Sequence, residues 1–480
     1  MHKMKKTALN IFYSCATQLL AIIVPLITSP YISRVLLPNN LGIYTYIDSV
    51  SQIICVLGSI GLTNYGIREI AYAKNDKNKR SIIFFEIMII RFVMLVISYA
   101  FYCLFMKGTQ YEIYSLYQII WFIGSFLDII WLFNGMEDFK TVVIRNLIVK
   151  VVTVILIFSL VKAPSDLVKY ILLIGACQVL ATVLCYKNIK SIICLPDFHE
   201  LHPTRHLLPT LKIALPQAVT LIYYQMDKVM LEYLLNEPSI LAYYDLADKI
   251  VKIPVTAITA VSTVMLPKSS KYFIGDDSEG LTNSIQSTID FSILLIFPMC
   301  LGLMSIANGF VPWFYGDNYL PVSSIIISLC PVIIARGLSS ISSDQYLVPT
   351  KNTKYLTISS VFSAVINVIV NYITIPIMGV YGAVLGTIVA EFSVTTIQFH
   401  YMRKQISIKG MTKNILKYSI FSIICCSVSI LIWFALGNHI YTTVSQMIAA
   451  IIVYLVLLLI TKDRLVFQII KSRHTLKGNE

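Results

Sequence analysis

The sequence predicts an all-α polytopic membrane protein of about 14 transmembrane helices, arranged as two pseudo-symmetric six-helix lobes followed by two C-terminal helices. Three observations predict it. Hydrophobic residues make up 57% of the 480 residues and charged ones only 13%, with a mean hydropathy of +0.75, against about 25% charged in soluble domains. The chain divides into apolar runs of roughly 20 residues, the length a helix needs to cross a bilayer. Most of the 38 Lys and Arg sit in every second gap between those runs. Positive charge is retained on the cytoplasmic side during insertion, so such alternation fixes the topology.

The elements follow in order. Lys3, Lys5 and Lys6 precede a first span at 9–33, uncharged from Thr7 to Ser33 and longer than a signal-peptide core of ~7–15 residues. The next spans are 41–63, 82–106, 113–134, 141–161 and 168–186. Arg68, Lys74, Lys77, Lys79 and Arg80 follow the second, Lys140 the fourth, and Lys187, Lys190, Arg205 and Lys212 the sixth. Spans at 211–235, 243–266, 284–306, 321–345, 355–375 and 382–400 come next. Lys268 and Lys271 follow the eighth, Lys351 and Lys354 the tenth. The basic stretch Arg403 to Lys417 follows the twelfth. Spans at 414–436 and 441–461 end at the basic tail from Lys462 to Lys477. The opposite gaps hold only Arg34, Lys107, Lys162 and Lys169, so both termini are expected in the cytoplasm of a multi-pass bacterial cell-membrane protein. A sheet is excluded, because backbone in lipid needs intra-segment bonds or a closed barrel, and these runs are too long for barrel strands.

The expected domains are a lobe at 1–200, a lobe at 201–405, and two helices with a tail at 406–480. A weak repeat supports the halves. Leu41-Gly-Ile-Tyr44 opens the second span and Ile240-Leu-Ala-Tyr243 the eighth, while Pro25 and Pro30 interrupt the first span and Pro216 the seventh. Transporters are often built from such matched, broken helices.

The net charge of +13 is accounted for by its one-sided placement, and no nucleic-acid role is expected. The ten cysteines lie mostly inside apolar runs without a CxxC pair, and read as small packing residues. His199, His202 and His206 have metal-ligand spacing, but Pro203 and the polar loop argue against a site, so no metal or cofactor is expected. No GxSxG, Walker A or HExxH motif occurs, and the outer loops are too short for a polymerase site, so no enzyme is expected.

Seven basic residues remain inside apolar spans: Arg91, Arg145, Lys150, Lys228, Lys249, Lys252 and Arg336. Charge at a helix centre costs ~2.5–3.5 kcal/mol on insertion scales, so the set implies internal pairing or a hydrated cavity. Acids accompany them, among them Asp48, Glu86, Asp128, Asp227, Asp290 and Glu391. Glu86 and Arg91 share a span, and Asp248 precedes Lys252 by four residues, the spacing of a helical pair. Arg145, one turn from the cytoplasmic end, reads as a snorkelling side chain. Arg91, Lys228, Lys249, Lys252 and Arg336 lie deeper and are candidates for a cationic cavity. Asp48, Glu86, Asp248 and Glu391 are candidates for coupling or charge pairing. Tyr223, Tyr224, Tyr243 and Tyr244 read either as interface anchors or as stacking faces for sugars.

Four stretches carry a resemblance. Ser29-Pro-Tyr-Ile-Ser-Arg34 through Gly42-Ile-Tyr44 resembles the passage from first to second helix of polysaccharide repeat-unit flippases. Gly61-Leu-Thr-Asn-Tyr65-Gly66-Ile-Arg68-Glu69-Ile-Ala71 resembles their next cytoplasmic junction, and Trp131-Leu-Phe-Asn-Gly135-Met-Glu137-Asp138-Phe-Lys140 the end of their fourth helix. Asn367 to Asn371, Ile375-Pro376 and Gly379 to Ala383 are similar to their eleventh-to-twelfth helix turn. The chain thus resembles the polysaccharide transporter branch of the multidrug/oligosaccharidyl-lipid/polysaccharide exporter superfamily. The resemblance implies alternating-access transfer of an undecaprenyl-pyrophosphate-linked oligosaccharide from inner to outer leaflet, for capsule or O-antigen assembly. It implies two lobes around a central cavity, and as partners the lipid-linked oligosaccharide, membrane lipids, a polysaccharide polymerase and assembly proteins. Arg34 and Lys249 match positions where related flippases hold pyrophosphate. Lys249 stands where the family has Arg, and a point charge lacks bidentate phosphate recognition. The alternatives are an ion-coupled multidrug exporter of the same superfamily, which a cavity dominated by acids would favour, and a membrane polysaccharide polymerase.

Overall fold

A computed structural model describes residues 2–59, 61–187, 189–403, 411–463 and 465, without the side chains of 2–22 and 211–222. The side chains of Lys3, Lys5, Lys6, Lys212 and Pro216 are therefore not described, and Lys404, Lys409 and the tail beyond residue 465 lie outside the described residues. All regular structure among the described residues is helical. Each expected span falls on a helix, and twelve described segments are long and apolar enough to cross a membrane. One of the twelve, Ile23–Ser59, holds two expected spans, because α1 (His2–Ser59) breaks at Leu37, whose φ is 63° just before Pro38. Proline cannot donate the next helical hydrogen bond, and it restricts the residue before it.

The chain forms two compact units, Met1–Ala242 and Tyr243–Glu480. In the first, α1 is followed by α2 (Leu62–Tyr72), too short to span, with Leu62, Tyr65, Gly66 and Ile70 buried. Asp76 caps α3 (Lys77–Met106) by accepting from the Lys79 amide at 3.0 Å. The fourth span is broken into α4 (Glu112–Leu116), α5 (Ile119–Phe126) and α6 (Ile130–Gly135). Asp138 caps α7 (Phe139–Leu160), and α8 (Leu167–Tyr186), the short α9 (Ile189–Ile192) and α10 (Leu207–Leu235) complete the unit.

The second and third of the stretches that carry the resemblance meet here. Fully buried Trp131 of α6 lies against Gly66 of α2, where an added Cβ would come 2.5 Å from the indole ring. No other side chain allows that approach. Glu137 pairs with Lys74 at 2.8 Å, joining the turn after α6 to the turn before α3. Residues that carry the resemblance here hold one junction between helices together.

The second unit continues α11 (Pro238–Ile274) into α12 (Ser278–Tyr315). The tenth span is α13 (Pro321–Leu329), α14 (Pro331–Ile341) and a π turn at Ser342–Leu347. α15 (Thr353–Met378) and α16 (Val380–Met402) form a hairpin turning at Gly379. α17 (Met411–Leu436) and α18 (Ile440–Ile460) dock on α12. Polar groups fasten that last hairpin: Ser305 donates to Ser429 at 3.0 Å, the Gln446 amide to the Ser429 carbonyl at 3.0 Å, and Tyr454 to the Leu294 carbonyl at 2.7 Å. In lipid, where apolar contact alone gives helices little reason to associate, such bonds hold them together.

Candidate functional site

The charged residues within spans fall into two physical classes. In the first unit Glu86, Arg91 and Arg145 take partners from distant elements. The Glu86 side chain of α3 is completely buried and accepts four bonds. They come from the His202 amide at 2.6 Å, Arg205 Nε and Nη2 at 3.1 and 2.6 Å, and His206 Nε2 at 2.7 Å. The other ring nitrogen of His206 meets the Tyr65 hydroxyl at 2.7 Å. The loop that carries the three histidines is thereby tied to α3 and α2, and both His206 nitrogens are occupied.

Arg91, one turn beyond Glu86 on α3, is 3% exposed. It serves the broken fourth span, where the chain between α5 and α6 leaves carbonyls without helical partners. Arg91 Nη1 donates to the carbonyls of Phe126 at 3.3 Å and Asp128 at 2.9 Å, and Nη2 to Thr63 Oγ1 at 2.7 Å. Arg145 of α7 donates to Asp128 at 3.0 Å and to the Ala181 carbonyl of α8 at 2.8 Å. Glu86 and Arg91 share a helix without pairing; each reaches a different neighbour. Asp48, on the second arm of α1, accepts from Gln52 at 2.7 Å. Lys228 of α10 is buried.

In the second unit α11 behaves differently. Lys249 Nζ meets Asp245 at 2.6 Å and Lys252 Nζ meets Asp248 at 2.5 Å, each one turn back on the same helix. The lysine side chains are 45% and 38% exposed. The pairs leave two adjacent cations presented outward from an apolar helix. The Asp248–Lys252 pair is the one its spacing predicts. Asp245, with the same spacing to Lys249, escaped notice although the signal is identical. Arg336 of α14 donates to Glu391 of α16 at 2.7 Å with both nearly buried, so this pair resembles those of the first unit. Arg34, at the end of the first arm of α1, is exposed. Of the tyrosines, Tyr224 keeps an exposed face, whereas Tyr244 is buried with its hydroxyl 2.8 Å from Thr387 Oγ1.

Comparisons with known proteins agree with this architecture. The model of the polysaccharide biosynthesis protein family matches residues 8–273, and that of the lipid II flippase MurJ matches residues 141–457. A Shigella dysenteriae protein described as a candidate O-antigen transporter is 24% identical over 381 residues, covering 76% of this chain and 92% of that one. The lipid II flippase MurJ of Bacillus subtilis is 26% identical over 212 residues, 43% of this chain and 39% of that one. In fold, the chain is similar to a lipid II flippase MurJ in an inward closed conformation, with a TM-score of 0.68, 18% identity, and coverage of 94% and 99%. It is also similar to an inward-facing multidrug resistance MATE family transporter, with a TM-score of 0.64, 15% identity, and coverage of 82% and 96%. The chain therefore belongs to the polysaccharide biosynthesis protein family, among the polysaccharide flippases of the multidrug/oligosaccharidyl-lipid/polysaccharide exporter superfamily.

Proposed function

We propose that the chain carries an undecaprenyl-pyrophosphate-linked oligosaccharide repeat unit from the inner to the outer leaflet by alternating access, for capsule or O-antigen assembly. The observation that carries this reading is the pair of outward-facing lysines on α11. A pyrophosphate does not cross hydrocarbon unaided, and its carrier needs cations at depth. Lys249 and Lys252 supply two on adjacent turns, each paired with an aspartate one turn back and each with a substantially exposed side chain. Arg34 adds a bidentate phosphate donor. Arg91 and Arg336 then act as internal staples, and Lys228 as a buried cation. The O-antigen and lipid II names of the relatives support a lipid-linked substrate. Both termini face the cytoplasm in this reading, and the polymerase and assembly proteins that consume the translocated unit are its partners.

The test is in cells. Deleting the gene should leave lipid-linked repeat units facing the cytoplasm. Units that still reach the outer face, with only polymerisation lost, would mean the protein is not the flippase. Arg34→Gln and Lys249→Gln variants should insert normally yet lower polymer output by about tenfold, the order of one lost charge-assisted contact of ~1.5 kcal/mol. Wild-type output from well-expressed variants at both positions would refute the pyrophosphate assignment.

A further inference from the structure

Glu232 is a buried acid of another kind. It lies one turn before the end of α10 and is 3% exposed. Its Oε1 accepts a short hydrogen bond from the Tyr111 hydroxyl, and its Oε2 is buried with no hydrogen-bond partner among the described residues. Glu86, Asp128, Asp245, Asp248 and Glu391 each meet a cation. Glu232 forms no ion pair with any described Lys, Arg or His.

The titratable groups facing it are all neutral or acidic. Tyr46 comes from the second arm of α1, Tyr111 from the turn entering α4, and Glu237 from just past the helix end. The Tyr46 and Tyr111 rings pack 4.9 Å apart at their centroids. A carboxylate here would keep one charged oxygen dry beside phenols, with a second acid nearby. A neutral carboxyl leaves only an uncharged oxygen unpaired, which is far cheaper.

The nest also sits on a junction. Gln110 donates to the Tyr111 hydroxyl at 2.6 Å and to Asn236 Oδ1 at 3.0 Å, and Asn236 turns the chain with φ 51°. Two residues on, Pro238 presses on Gly42, where an added Cβ would lie 1.8 Å from the Pro238 carbonyl oxygen. The segment leading into α11 is thus packed against the same arm of α1 that supplies Tyr46.

We propose that Glu232 is a proton-exchange site, neutral in this conformation and giving its proton to water when the Tyr46–Tyr111 nest opens. Only the link to a transport cycle rests on the function proposed above; the protonation itself does not. Infrared spectra of the purified full chain at neutral pH test it. Wild type should show a neutral-carboxyl C=O band that Glu232→Gln lacks, and identical spectra would overturn the proposal. Should that variant fail to fold, Tyr111→Phe keeps the acid and removes its donor, so the band should shift; an unmoved band would count equally against it. Raising the pH through roughly 5 to 9, the span in which buried glutamates are known to titrate, should abolish the band. A band constant across that range would make the group permanently neutral and end the exchange proposal. In cells, Glu232→Gln should abolish the response of repeat-unit flipping to a proton gradient, and an unchanged response would overturn the exchange role. If wild type itself flips no repeat unit, the transport reading fails while the infrared result still decides the proton site.

Discussion

The Met1–Ala242 unit and α11 of the second unit place charge in apolar helices to opposite effect. In the first unit Glu86, Arg91 and Arg145 take partners from elements far along the chain. Each charge fastens helices and loops that share no sequence neighbourhood, and each is buried in doing so. On α11, Asp245 and Asp248 take partners four residues on, within one helix. Each of these pairs ties a lysine to the turn before it, and the lysine side chains keep a large share of their surface exposed. The same sequence signal, a charge inside a span, therefore has two meanings. The partner's origin separates them: the interhelical partners of Glu86, Arg91 and Arg145 tie elements together, and the intrahelical pairs of α11 belong to the lysines that the proposed function assigns to the substrate.

The largest test of this difference is stability. Glu86→Ala would strand His206 and the His202 amide at a dry site and release the half-exposed Arg205. The expected loss is about 3 kcal/mol, the low end of the 3–5 kcal/mol typical when one member of a buried pair is removed. It would be read as a clear fall in the thermal midpoint of the detergent-purified protein. Arg91→Ala should cost a similar amount, because it removes a buried guanidinium that bonds the Phe126 and Asp128 carbonyls and Thr63. A Glu86→Ala protein as stable as wild type would remove the distinction drawn between the two regions.

How far the sequence alone reached follows the same line. Span positions were readable because insertion acts on local charge, and charge bias is a local property. The Asp248–Lys252 pair was readable because helical spacing is local too. The partners of Glu86 were not, since they lie more than a hundred residues away on a loop whose histidines were weighed only as metal ligands, and set aside as such. Nor were those of Arg91: the break between α5 and α6 falls at Leu127-Asp128-Ile129, with no proline or glycine to announce it. The kink at Leu37 was hinted at by Pro38. Glu232 was missed because a single acid near a span end resembles an interface residue until its neighbours are seen.

A middle-sized effect concerns the α17–α18 hairpin. Gln446→Leu removes the bonds to the Ser429 and Ser305 carbonyls. The loss should be about 1 kcal/mol, within the range for interhelical hydrogen bonds in membranes. Hydrogen exchange should report it as faster opening of α18, with α3 unaffected. Equal loosening of both units would mean that the hairpin is not held locally.

The smallest expected change carries the most information about α11. Lys252→Gln removes a charge but retains a donor able to reach Asp248. An exposed i,i+4 pair is worth only about 0.3–0.5 kcal/mol, because water solvates both partners and the long side chain loses entropy in pairing. The thermal midpoint should therefore stay close to wild type, in contrast to Glu86→Ala. Polymer output should fall nonetheless, since the lost charge is one of the two that the proposed function assigns to the pyrophosphate. A Lys252→Gln protein that unfolds as readily as Glu86→Ala would show that this lysine supports the structure. One that is stable and fully active would show that the pair neither holds the helix nor meets the substrate. Stability and activity must separate at Lys252 and move together at Glu86 for the difference between the two regions to stand.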